Sequence, residues 1–561
     1  MVRHEATVLK QRAQTAPNNG FEIYQERRPA GLVGRFFITL GQLLALLFGA
    51  VNVFVHQPAA SGQPSLLIVL PLRVMLFFVR PFLDKRIIQQ PFPVQFRLRL
   101  ERLGPTYIKL GQILSLREDV LPKSVTDELG NLLDRLPVVA FERFQGLVQA
   151  DLKRPLDTIF RWIDRKPLGS ASLAQTHRAR LHTGERVVLK VLKPGVRQTV
   201  KTDTKLLRLL GRMLQIFLAR YQPARLIDEF SRYTLREVDL RFEADNAEAF
   251  AANFKDQPDV HFPKIYREFS NRDVLCMEYF QGIKPDAQAP AILTRWEKEK
   301  VIRLGISATI QMIFRDGFFH ADLHPGNLVI FKDASVGFLD LGMVGRFDRE
   351  VQQRLFYYFY SLVMGDPDNA ARYLASLTIT AKNSDVDGFR RAVAGLYGRW
   401  LRSANFKDFS LAQVILQSVL LAGQYRVQYP SEIILMVKAL VTLEGAGNLL
   451  QPGIDIVEAS RGDVRRLLFE QFNPSAIMKA SLLVVPELVD ILNRSPLVLT
   501  EGLKQFERSL RNHSNNRLTG LRMSILAGSC ILAAAILFAA AAPWPLWAGL
   551  FAMALVAILR G

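Results

Sequence analysis

The hydrophobic and polar positions at the start of the chain predict a polar segment followed by an apolar helix. Residues 1–30 are polar and basic, whereas residues 36–55 (FFITLGQLLALLFGAVNVFV) carry no charge. The second segment has the length that spans a bilayer as a helix. Because Gln42 and Asn52 interrupt it, the segment predicts either a membrane helix, transmembrane or interfacial, or a helix buried in protein.

A second apolar run occupies residues 65–83 and is interrupted by Arg73 and Arg80. An arginine at the centre of a membrane helix costs about 2.5–3.5 kcal/mol on insertion scales. This run therefore predicts a helix that lies in the membrane plane or packs on protein. We group residues 31–95 as one segment of membrane-associated helices.

Two further apolar runs occupy residues 523–542 and 545–559, and the sequence PWP joins them. Proline breaks a helix, and tryptophan favours the interface between lipid and water. Residues 522–561 therefore predict a transmembrane helical hairpin. A pair of apolar helices packed on the soluble body is the alternative.

Arginines flank this hairpin on both sides, because Arg517 and Arg522 precede it and Arg560 follows it. Basic residues next to membrane helices favour the cytoplasmic side. We expect both ends of the hairpin, the basic linker at 501–521 and the polar body of the protein on that side.

The central part of the chain reads as α+β. Residues 96–165 have the period of helices, whereas 166–280 contain short strands, including RVVLKVL at 186–192 and DVLCMEY at 273–279. Residues 281–500 are mainly helical by pattern. A helical extension, a small mixed lobe and a larger helical lobe, in this order, predict a two-lobed protein-kinase-like fold.

The composition of the chain indicates what kind of partner it binds. The chain has 561 residues and a formal net charge of +20, yet 49% of its residues are hydrophobic. Its mean hydropathy is +0.11. These values favour an anionic membrane surface over nucleic acid as the partner. With only two cysteines there is no disulfide framework, and the polar body is expected in a reducing compartment.

Residues 318–327 (FFHADLHPGN) and 338–342 (FLDLG) carry the candidate chemistry. Asp322 precedes Asn327 by five residues, and Asp340 follows an apolar strand. This spacing predicts a phosphoryl-transfer site in which Asn327 and Asp340 bind Mg²⁺ and Asp322 orients or deprotonates the attacking group. We expect packing or hydrogen bonding, not metal binding, for the two histidines beside Asp322.

A cation and a small-residue loop complete the predicted nucleotide site. Lys190 lies on a predicted strand in the pattern of the lysine that pairs with the α- and β-phosphates. The turn before it is PLGSASLAQTH, in which Gly169, Ser170, Ala171 and Ser172 replace a glycine-rich loop. Backbone N–H groups of such a loop can bind phosphates. We place the adenine contact near Glu278 to Phe280, at the end of a strand.

Two departures argue against an ordinary protein kinase. The usual loop reads His-Arg-Asp-Leu and ends in Asn, whereas here Ala321 replaces the arginine and His324 stands where a lysine often sits. An ordinary kinase also has a long segment after its metal-binding Asp, ending in Ala-Pro-Glu. Here a helix start is predicted at Asp348, soon after Asp340, so little chain is left to bind an extended peptide.

With these motifs the chain resembles the UbiB/AarF family of atypical protein-kinase-like proteins, which is linked to ubiquinone biosynthesis. The family's Lys-x-Gly-Gln segment appears as YIKLGQ, with Lys109, Gly111 and Gln112. Its Glu-x-Asp motif lies in LREVDLRFEADN. The acidic residues of that stretch are Glu237, Asp239 and Glu243. Its pattern predicts a helix that carries all three, with Asp239 and Glu243 on one face because they are four residues apart. The chain departs from the family at Gly169, where alanine is common.

The resemblance implies several roles. Glu243 is the partner of Lys190, and Lys109 and Gln112 dock over the phosphate site against Glu237 and Asp239 as regulatory residues. The implied cofactors are ATP and Mg²⁺, and the implied partners are anionic lipid, isoprenoid quinone precursors and other quinone-biosynthesis proteins. The implied location is a bacterial inner membrane.

The expected activity is ATP hydrolysis or phosphoryl transfer to a small molecule or lipid. A Ser/Thr protein kinase and a non-catalytic, nucleotide-dependent scaffold of a membrane complex are the alternatives.

Overall fold

The structure is a computed structural model. It describes residues 31–56, 70–71, 73–74, 79, 84–115, 121–132, 138–217, 222–286, 288–380, 384–402, 411–452, 462, 466, 528–534 and 544–560. Most of the predicted helix at 65–83, the linker at 501–521 and most of the first hairpin arm lie outside these residues.

Six helices of the described chain precede the sheet of the small lobe. Those within residues 96–165 agree with the helical period of that segment. Pro91 and Gly104 lie at the starts of two of them, and a proline occupies the first turn of the second helix, where its missing N–H costs nothing. The helices are α1 (Leu32–His56), α2 (Lys85–Ile88), α3 (Phe92–Leu103), α4 (Pro105–Leu114), α5 (Lys123–Leu129) and α6 (Phe141–Leu152).

The small lobe is built on a five-stranded antiparallel sheet with the order β1-β3-β4-β6, and β2 pairs with β3. Its strands are β1 (Phe160–Ile163), β2 (Gly169–Ser170), β3 (Ala174–Leu181), β4 (Arg186–Leu192) and β6 (Val274–Glu278). The strands expected at 186–192 and 273–279 are confirmed. The helical prediction for 96–165 was wrong at its end, because Phe160–Ile163 is rich in aromatic and β-branched residues and pairs with β3.

The two faces of β4 pack against different parts of the protein. Val187, Leu189 and Val191 belong to the cluster beneath α6, whereas Val188 and Leu192 belong to the main core. Successive side chains alternate across a strand, so Lys190 lies on the same face as Val188 and Leu192. The pattern of this strand therefore directs one lysine toward the large lobe.

Three helices connect the sheet to the cleft. They are α7 (Val196–Phe217), α8 (Pro223–Glu237) and α9 (Leu240–Asn253). The predicted continuous helix through Glu237, Asp239 and Glu243 was wrong. Asp239 has an extended backbone, and its carboxylate accepts a hydrogen bond from the N–H of Arg241, so it caps α9. Aspartate competes for backbone donors in this way, which ends one helix and begins the next.

The large lobe is mainly helical, as predicted. Its helices are α10 (Ala289–Ile292), α11 (Arg295–Ile310), α12 (Arg349–Val363), α13 (Pro367–Ser376), α14 (Val386–Arg402), α15 (Leu411–Leu421) and α16 (Ser431–Leu450). Short strands occur as β5 (Val260–His261), β7 (Phe318–His320), β8 (Leu328–Ile330), β9 (Val336–Phe338), β10 (Val344–Arg346), β11 (Ile379–Thr380) and β12 (Val427–Gln428). The predicted helix start at Asp348 is confirmed, because its carboxylate caps α12.

The candidate loops lie on the small strands of this lobe. β8 and β9 form a hairpin, and β5 pairs with β9 in parallel. β7 pairs with β10, which brings His320 opposite Val344. The chains before and after the two candidate motifs are therefore fixed by backbone hydrogen bonds.

Residues 469–561 form a separate compact unit. Among its described residues, 528–534 are helical, and α17 (Trp544–Arg560) covers the second predicted arm of the hairpin. Exposed apolar side chains occur along α17, including Phe551, Met553 and Leu555.

Helix α1 packs on the body through its polar residues. Its Arg35 guanidinium donates to both carboxylate oxygens of Asp203 on α7, at 2.8 and 2.6 Å. The hydroxyl of Thr39 lies 3.1 Å from that of Tyr107 on α4, and Asn52 donates to the carbonyl of Ile88. These contacts fix α1 against the helices that precede the small lobe.

The other face of α1 is apolar and uncovered. Only 11% of its most apolar stretch is buried, so this helix is not part of the core of the described chain. Its exposed large apolar residues are Leu32, Val33, Phe36, Phe37, Ile38, Leu40, Leu44 and Leu47. The amphipathic pattern of α1 is thus the opposite of that of a surface helix in a soluble protein: its hydrogen-bonding groups face the body and its large apolar groups face outward.

The buried Arg35–Asp203 pair generates a stability prediction. Asp203→Ala leaves a mostly buried guanidinium without its carboxylate, because Arg35 is 12% exposed and Asp203 is 0% exposed. Breaking a buried pair costs about 3–5 kcal/mol. We expect a lower thermal unfolding midpoint in detergent and faster proteolysis before α3.

The matched control is Asp228→Ala, which removes an exposed carboxylate paired with Arg208. An exposed pair contributes about 0–1 kcal/mol, so this midpoint is expected to stay near the wild-type value. Equal losses in the two variants would contradict a buried anchor for α1.

Candidate active site

Lys190 lies between two carboxylates that come from different parts of the chain. Its Nζ is 2.8 Å from both carboxylate oxygens of Glu243 on α9 and 2.8 Å from Oδ1 of Asp340, which follows β9. Lys190 is 14% exposed and Glu243 is 7% exposed, whereas Asp340 is 52% exposed. The structure therefore brings together the predicted phosphate-binding cation, its partner and one predicted metal ligand.

The charges of these groups follow from burial and from one another. Burial opposes the Lys190 charge, but Asp340 and Glu243 outweigh it and raise the pKa of Lys190. Burial raises the pKa of Glu243 to about 7, although Lys190 acts in the opposite direction. The nearby Lys190 charge lowers the pKa of Asp340 well below its usual range. Asp340 is therefore an anion at neutral pH, as a metal ligand needs to be.

Asp340 also has an unusual backbone. Its φ is +52°, a left-handed conformation that is uncommon for residues other than glycine. The strand β9 ends just before it and Gly342 follows, so the chain turns sharply and presents the carboxylate at the cleft. Strain at such a position is typical of functional sites.

Asp322 lies on the loop after β7 and is held by several partners. Its backbone N–H donates to Nδ1 of His320, 3.1 Å away, and its carbonyl accepts from the Asn327 side chain at 3.0 Å. Nε2 of His320 lies 2.9 Å from the Leu339 carbonyl, which assigns the proton to Nε2. The predicted hydrogen-bonding role of His320 is confirmed, and this histidine ties the Asp322 loop to the chain before Asp340.

Asn327 reaches the same place through the β8–β9 hairpin. The N–H of Leu339 donates to the Asn327 carbonyl at 2.8 Å, so Asn327 lies beside the residue that precedes Asp340. Among the described residues no group of three or more His, Cys, Asp or Glu could hold a metal ion. Mg²⁺ takes few protein ligands and keeps water and phosphate oxygens, so one carboxylate and one amide oxygen fit its chemistry.

The carboxylate of Asp322 has a partner that the sequence did not suggest. Nζ of Lys438, on α16, lies 2.7 Å from its Oδ1, whereas Nε2 of His324 lies 3.8 Å from its Oδ2. Burial raises the pKa of Asp322, but Lys438 outweighs it, and the pKa is lowered. One sequence signal could have indicated this partner, because Lys438 is the only basic residue of a mainly apolar helix.

The small-residue loop forms the edge of the sheet. Gly169 and Ser170 pair with β3, and the N–H of Ala171 donates to the Ala174 carbonyl at 2.9 Å. Ser172 follows within the same turn. A Cβ on Gly169 would meet only the Thr176 hydroxyl, at an ordinary 3.4 Å. The backbone there does not require glycine, so the alanine of the family fits this loop.

The segment from Glu278 to Phe280 begins at the last residue of β6. The N–H groups of Glu278 and Tyr279 donate to the carbonyls of Lys264 and Arg186. Neither N–H is therefore left for an adenine. The ring of Phe280 packs at the position of Gly337, where a Cβ would lie 2.7 Å from it. The adenine contact at this segment stays a prediction.

Helix α4 places Lys109 above the acidic groups. Its Nζ is 2.7 Å from Oε1 of Glu237, the last residue of α8. Burial opposes the charge, but Glu237 outweighs it and raises the pKa of Lys109, with smaller contributions from Asp322 and Asp340. Gln112 lies nearly one turn further along α4. The implied contact between Lys109 and Glu237 is present.

Asp239 has a different environment from Glu237. Its carboxylate lies 2.7 Å from Arg241 and 3.3 Å from Arg272, and it is 8% exposed. These contacts make Asp239 the cap of α9 and thereby fix the first turn that carries Glu243. Its regulatory role stays a prediction.

The shared cation generates a prediction about pH and stability. Lys190→Met removes the positive charge that opposes the effect of burial on Glu243, so the pKa of Glu243 rises further above its ordinary value of 4.5. The folded state then binds more protons than the unfolded state, and stability falls as pH rises through this window. Because the pKa of Glu243 is already about 7 in wild type, we expect the midpoint deficit of the variant to grow as pH rises above about pH 7, measured in chelator.

Lys300→Met is the matched control, since Lys300 pairs with Asp259 at 3.1 Å and is 21% exposed. Its midpoint difference from wild type is expected to vary little with pH. A pH-independent deficit in Lys190→Met would contradict the shared-cation arrangement.

Comparisons with known proteins agree with this geometry. Residues 131–374 match the ABC1 atypical kinase-like domain, and residues 398–455 match the UbiB helical domain. A protein of Azotobacter vinelandii named "Probable protein kinase UbiB" is 30% identical over 476 residues, which cover 83% of this chain and 88% of that protein. The Arabidopsis thaliana protein named "ACTIVITY OF BC1 COMPLEX KINASE 7, chloroplastic" is 31% identical over 65% of this chain and 53% of its own length.

Among solved structures, the Rv3197–erythromycin complex of Mycobacterium tuberculosis aligns with 70% of this chain and 96% of that chain, at 21% identity and a TM-score of 0.46. The two domain matches and the relative at 30% identity settle the fold as kinase-like. The chain belongs to the UbiB family of atypical kinase-like proteins.

Proposed function

We propose that this protein is a membrane-associated, Mg²⁺-dependent ATPase or small-molecule phosphotransferase that supports isoprenoid quinone biosynthesis. The observation that carries the proposal is the cluster in which Lys190 contacts both Glu243 and Asp340. A cation held between two carboxylates in a cleft is the arrangement that binds a nucleotide triphosphate together with a divalent metal. The link to quinones rests only on the resemblance to the UbiB/AarF family.

Each residue of the cluster has a separate task in this proposal. Asn327 and Asp340 would hold Mg²⁺, which supplies positive charge to the β- and γ-phosphates when bound. Lys190 binds phosphate oxygens and is oriented by Glu243. Asp322 accepts a hydrogen bond from the attacking hydroxyl or water, and the N–H groups of the loop from Gly169 contact phosphate.

A Ser/Thr protein kinase is the second candidate, and the printed names of the relatives favour it. The geometry after Asp340 opposes it. β10 follows almost at once and pairs with β7, and α12 begins at Arg349. The described chain therefore offers no long segment after Asp340 on which an extended peptide could lie. Water or a small acceptor fits the site better.

The proposed activity predicts the result of Asp340→Asn. We expect ATP hydrolysis by the purified protein with Mg²⁺ and anionic liposomes to fall at least about 100-fold, because a preorganised charge at the transferred group is lost. In a strain that lacks this protein, the wild-type gene restores quinone levels and the variant does not.

Asp333→Asn is the matched control, since Asp333 lies in the same β8–β9 hairpin but bonds only its own turn and Lys300. Equal ATPase rates in wild type and Asp340→Asn would favour a non-catalytic scaffold. Labelled phosphate on a partner protein, lost in Asp322→Asn, would favour the protein kinase. Unchanged quinone levels on deletion would exclude the proposed pathway.

Membrane association is the second part of the proposal, and helix α1 supports it. Its polar groups are bound to the body, through Arg35, Thr39 and Asn52, while its apolar face is exposed. A helix that keeps those contacts cannot cross a bilayer, since the body would have to enter the lipid with it. We infer that α1 lies in the membrane plane, with its apolar face in the lipid and the body on the cytoplasmic side.

Depth measurements distinguish an in-plane from a spanning α1. Single labels at Phe37→Cys, Leu44→Cys and Leu47→Cys, in a background without Cys276 and Cys530, report quenching by brominated lipids. We expect similar, shallow depths at all three positions, because all lie on the exposed face.

A spanning helix would instead give a depth difference of about 15 Å between positions 37 and 47, at ~1.5 Å per residue. A label at Ile292→Cys is the control outside the proposed contact, since this apolar side chain on α10 is 61% exposed. Quenching at that control equal to quenching at α1 would mean that exposure alone explains the signal.

A further inference from the structure

The loop that carries Asp322 lacks both basic residues that the corresponding loop of an ordinary protein kinase has. Ala321 is fully buried and its N–H donates to the Met343 carbonyl, so this position serves packing. His324 accepts a hydrogen bond from the Gly326 N–H through Nδ1, and its other nitrogen stays 3.8 Å from Asp322. The loop itself therefore offers Asp322 no permanent cation at hydrogen-bonding distance.

Helix α16 supplies that cation. Nζ of Lys438 lies 2.7 Å from Oδ1 of Asp322, and the two side chains are 23% and 24% exposed. The residues on either side of Lys438 in sequence, Val437 and Ala439, are buried. A lysine at this place extends from a mainly apolar helix directly to the Asp322 carboxylate.

The sequence of α16 makes this lysine unusual. Between Glu432 and Glu444 it is the only charged residue, and the helix is apolar enough to resemble a membrane span, with half of it buried. A charge in such surroundings costs free energy unless it is paired. Apolar residues of similar length would pack there without that cost, so the pairing with Asp322 is the feature that accounts for Lys438.

Asp322 has charged or titratable neighbours on several elements. Lys438 approaches from α16, His324 and His320 from its own loop, and Lys109 acts from α4. Lys109 is already bound to Glu237 at 2.7 Å. Among the described residues, Lys438 is thus the permanent cation in direct contact with the Asp322 carboxylate.

We propose that Lys438 is a positioning residue that holds the Asp322 carboxylate in the orientation that phosphoryl transfer needs, in place of a basic residue of the loop. This inference rests on the proposed function. In that reaction the acceptor oxygen bonds to the γ-phosphorus, the bond from this phosphorus to the bridging oxygen of ADP breaks, and the acceptor proton passes to Asp322. Lys438 forms no bond in this step and acts through Asp322.

The proposal gives the helical segment at 398–455 a part in the reaction. α16 lies within that segment, which matches the UbiB helical domain, whereas Asp322 lies in the ABC1 kinase-like domain. The start of α16 also contacts α8, since the Tyr233 hydroxyl donates to Glu432 at 3.4 Å. The position of α16 therefore bears on both Asp322 and the helix that ends at Glu237.

Lys438→Met tests the proposal by separating turnover from nucleotide binding. We expect kcat for ATP to fall about 10- to 100-fold, part of what a positioned general base contributes, while Kd for ATP stays at the wild-type value. Lys438→Arg keeps the charge and is expected to retain most of the rate, although its fork differs in shape. The control Lys300→Met, with similar exposure and an aspartate partner, is expected to retain wild-type kcat.

A double variant decides whether Lys438 acts through Asp322. In Asp322→Asn, adding Lys438→Met is expected to lower kcat no further, because the group that the lysine orients has already been lost. Independent, multiplying losses would overturn the proposal, as would a wild-type kcat in Lys438→Met. A loss of nucleotide binding equal to the loss of kcat would also overturn it.

A second measurement does not depend on activity. Thermal unfolding of wild type, the two single variants and the double variant is compared without nucleotide, and non-additive shifts in midpoint are expected for residues in contact. If wild type hydrolyses no ATP, the proposed function fails. If, in addition, the midpoint shifts of the two single variants add up to the shift of the double variant, the pairing of Lys438 with Asp322 is overturned as well. An active wild type that loses turnover in Asp340→Asn but not in Lys438→Met overturns only the role of Lys438.

Discussion

The ion pairs of Lys190 are the constraint on which the rest of the site depends. Lys190 comes from the sheet of the small lobe, and Asp340 from a turn of the large lobe. A single ammonium group therefore joins both lobes across the cleft, while Glu243 brings α9 to the same point. The sheet register, the cap at Asp239 and the left-handed turn at Asp340 all serve to place these charges. Without a cation between them, the buried Glu243 carboxylate and the half-exposed Asp340 carboxylate would repel each other, so Lys190 is what allows both to lie at this point.

Sequence patterns were sufficient where a motif is local. Asp322, Asn327 and Asp340 lie within one short stretch, and its pattern predicts a loop and an apolar strand before Asp340, which the structure contains as β9. Lys190 was recognisable because it lies on a strand in the Val-x-x-Lys pattern, after the small-residue turn and before Asp322 and Asp340. These cases need only the period of a strand and the preference of polar residues for turns.

Patterns failed where tertiary contacts decide. The stretch from Glu237 to Glu243 has a helical period, yet capping by Asp239 divides it into two helices. Lys438 is far from Asp322 in sequence, and nothing in the period of α16 says which loop its only lysine reaches. The contact between Lys109 and Glu237 also joins distant helices, and it was expected only from the family resemblance. Local spacing holds no information on such pairs.

The reversed amphipathicity of α1 limits how this protein can be shortened for study. Removing α1 would uncover Asp203, a fully buried carboxylate whose counter-ion lies on the removed helix, and the hydroxyl of Tyr107. Keeping α1 leaves a row of apolar side chains in water. Removing residues 469–561 alone therefore gives a fragment that still exposes these apolar side chains. A truncated fragment without exposed apolar helices would need new residues on the α4 and α7 surface that α1 covers.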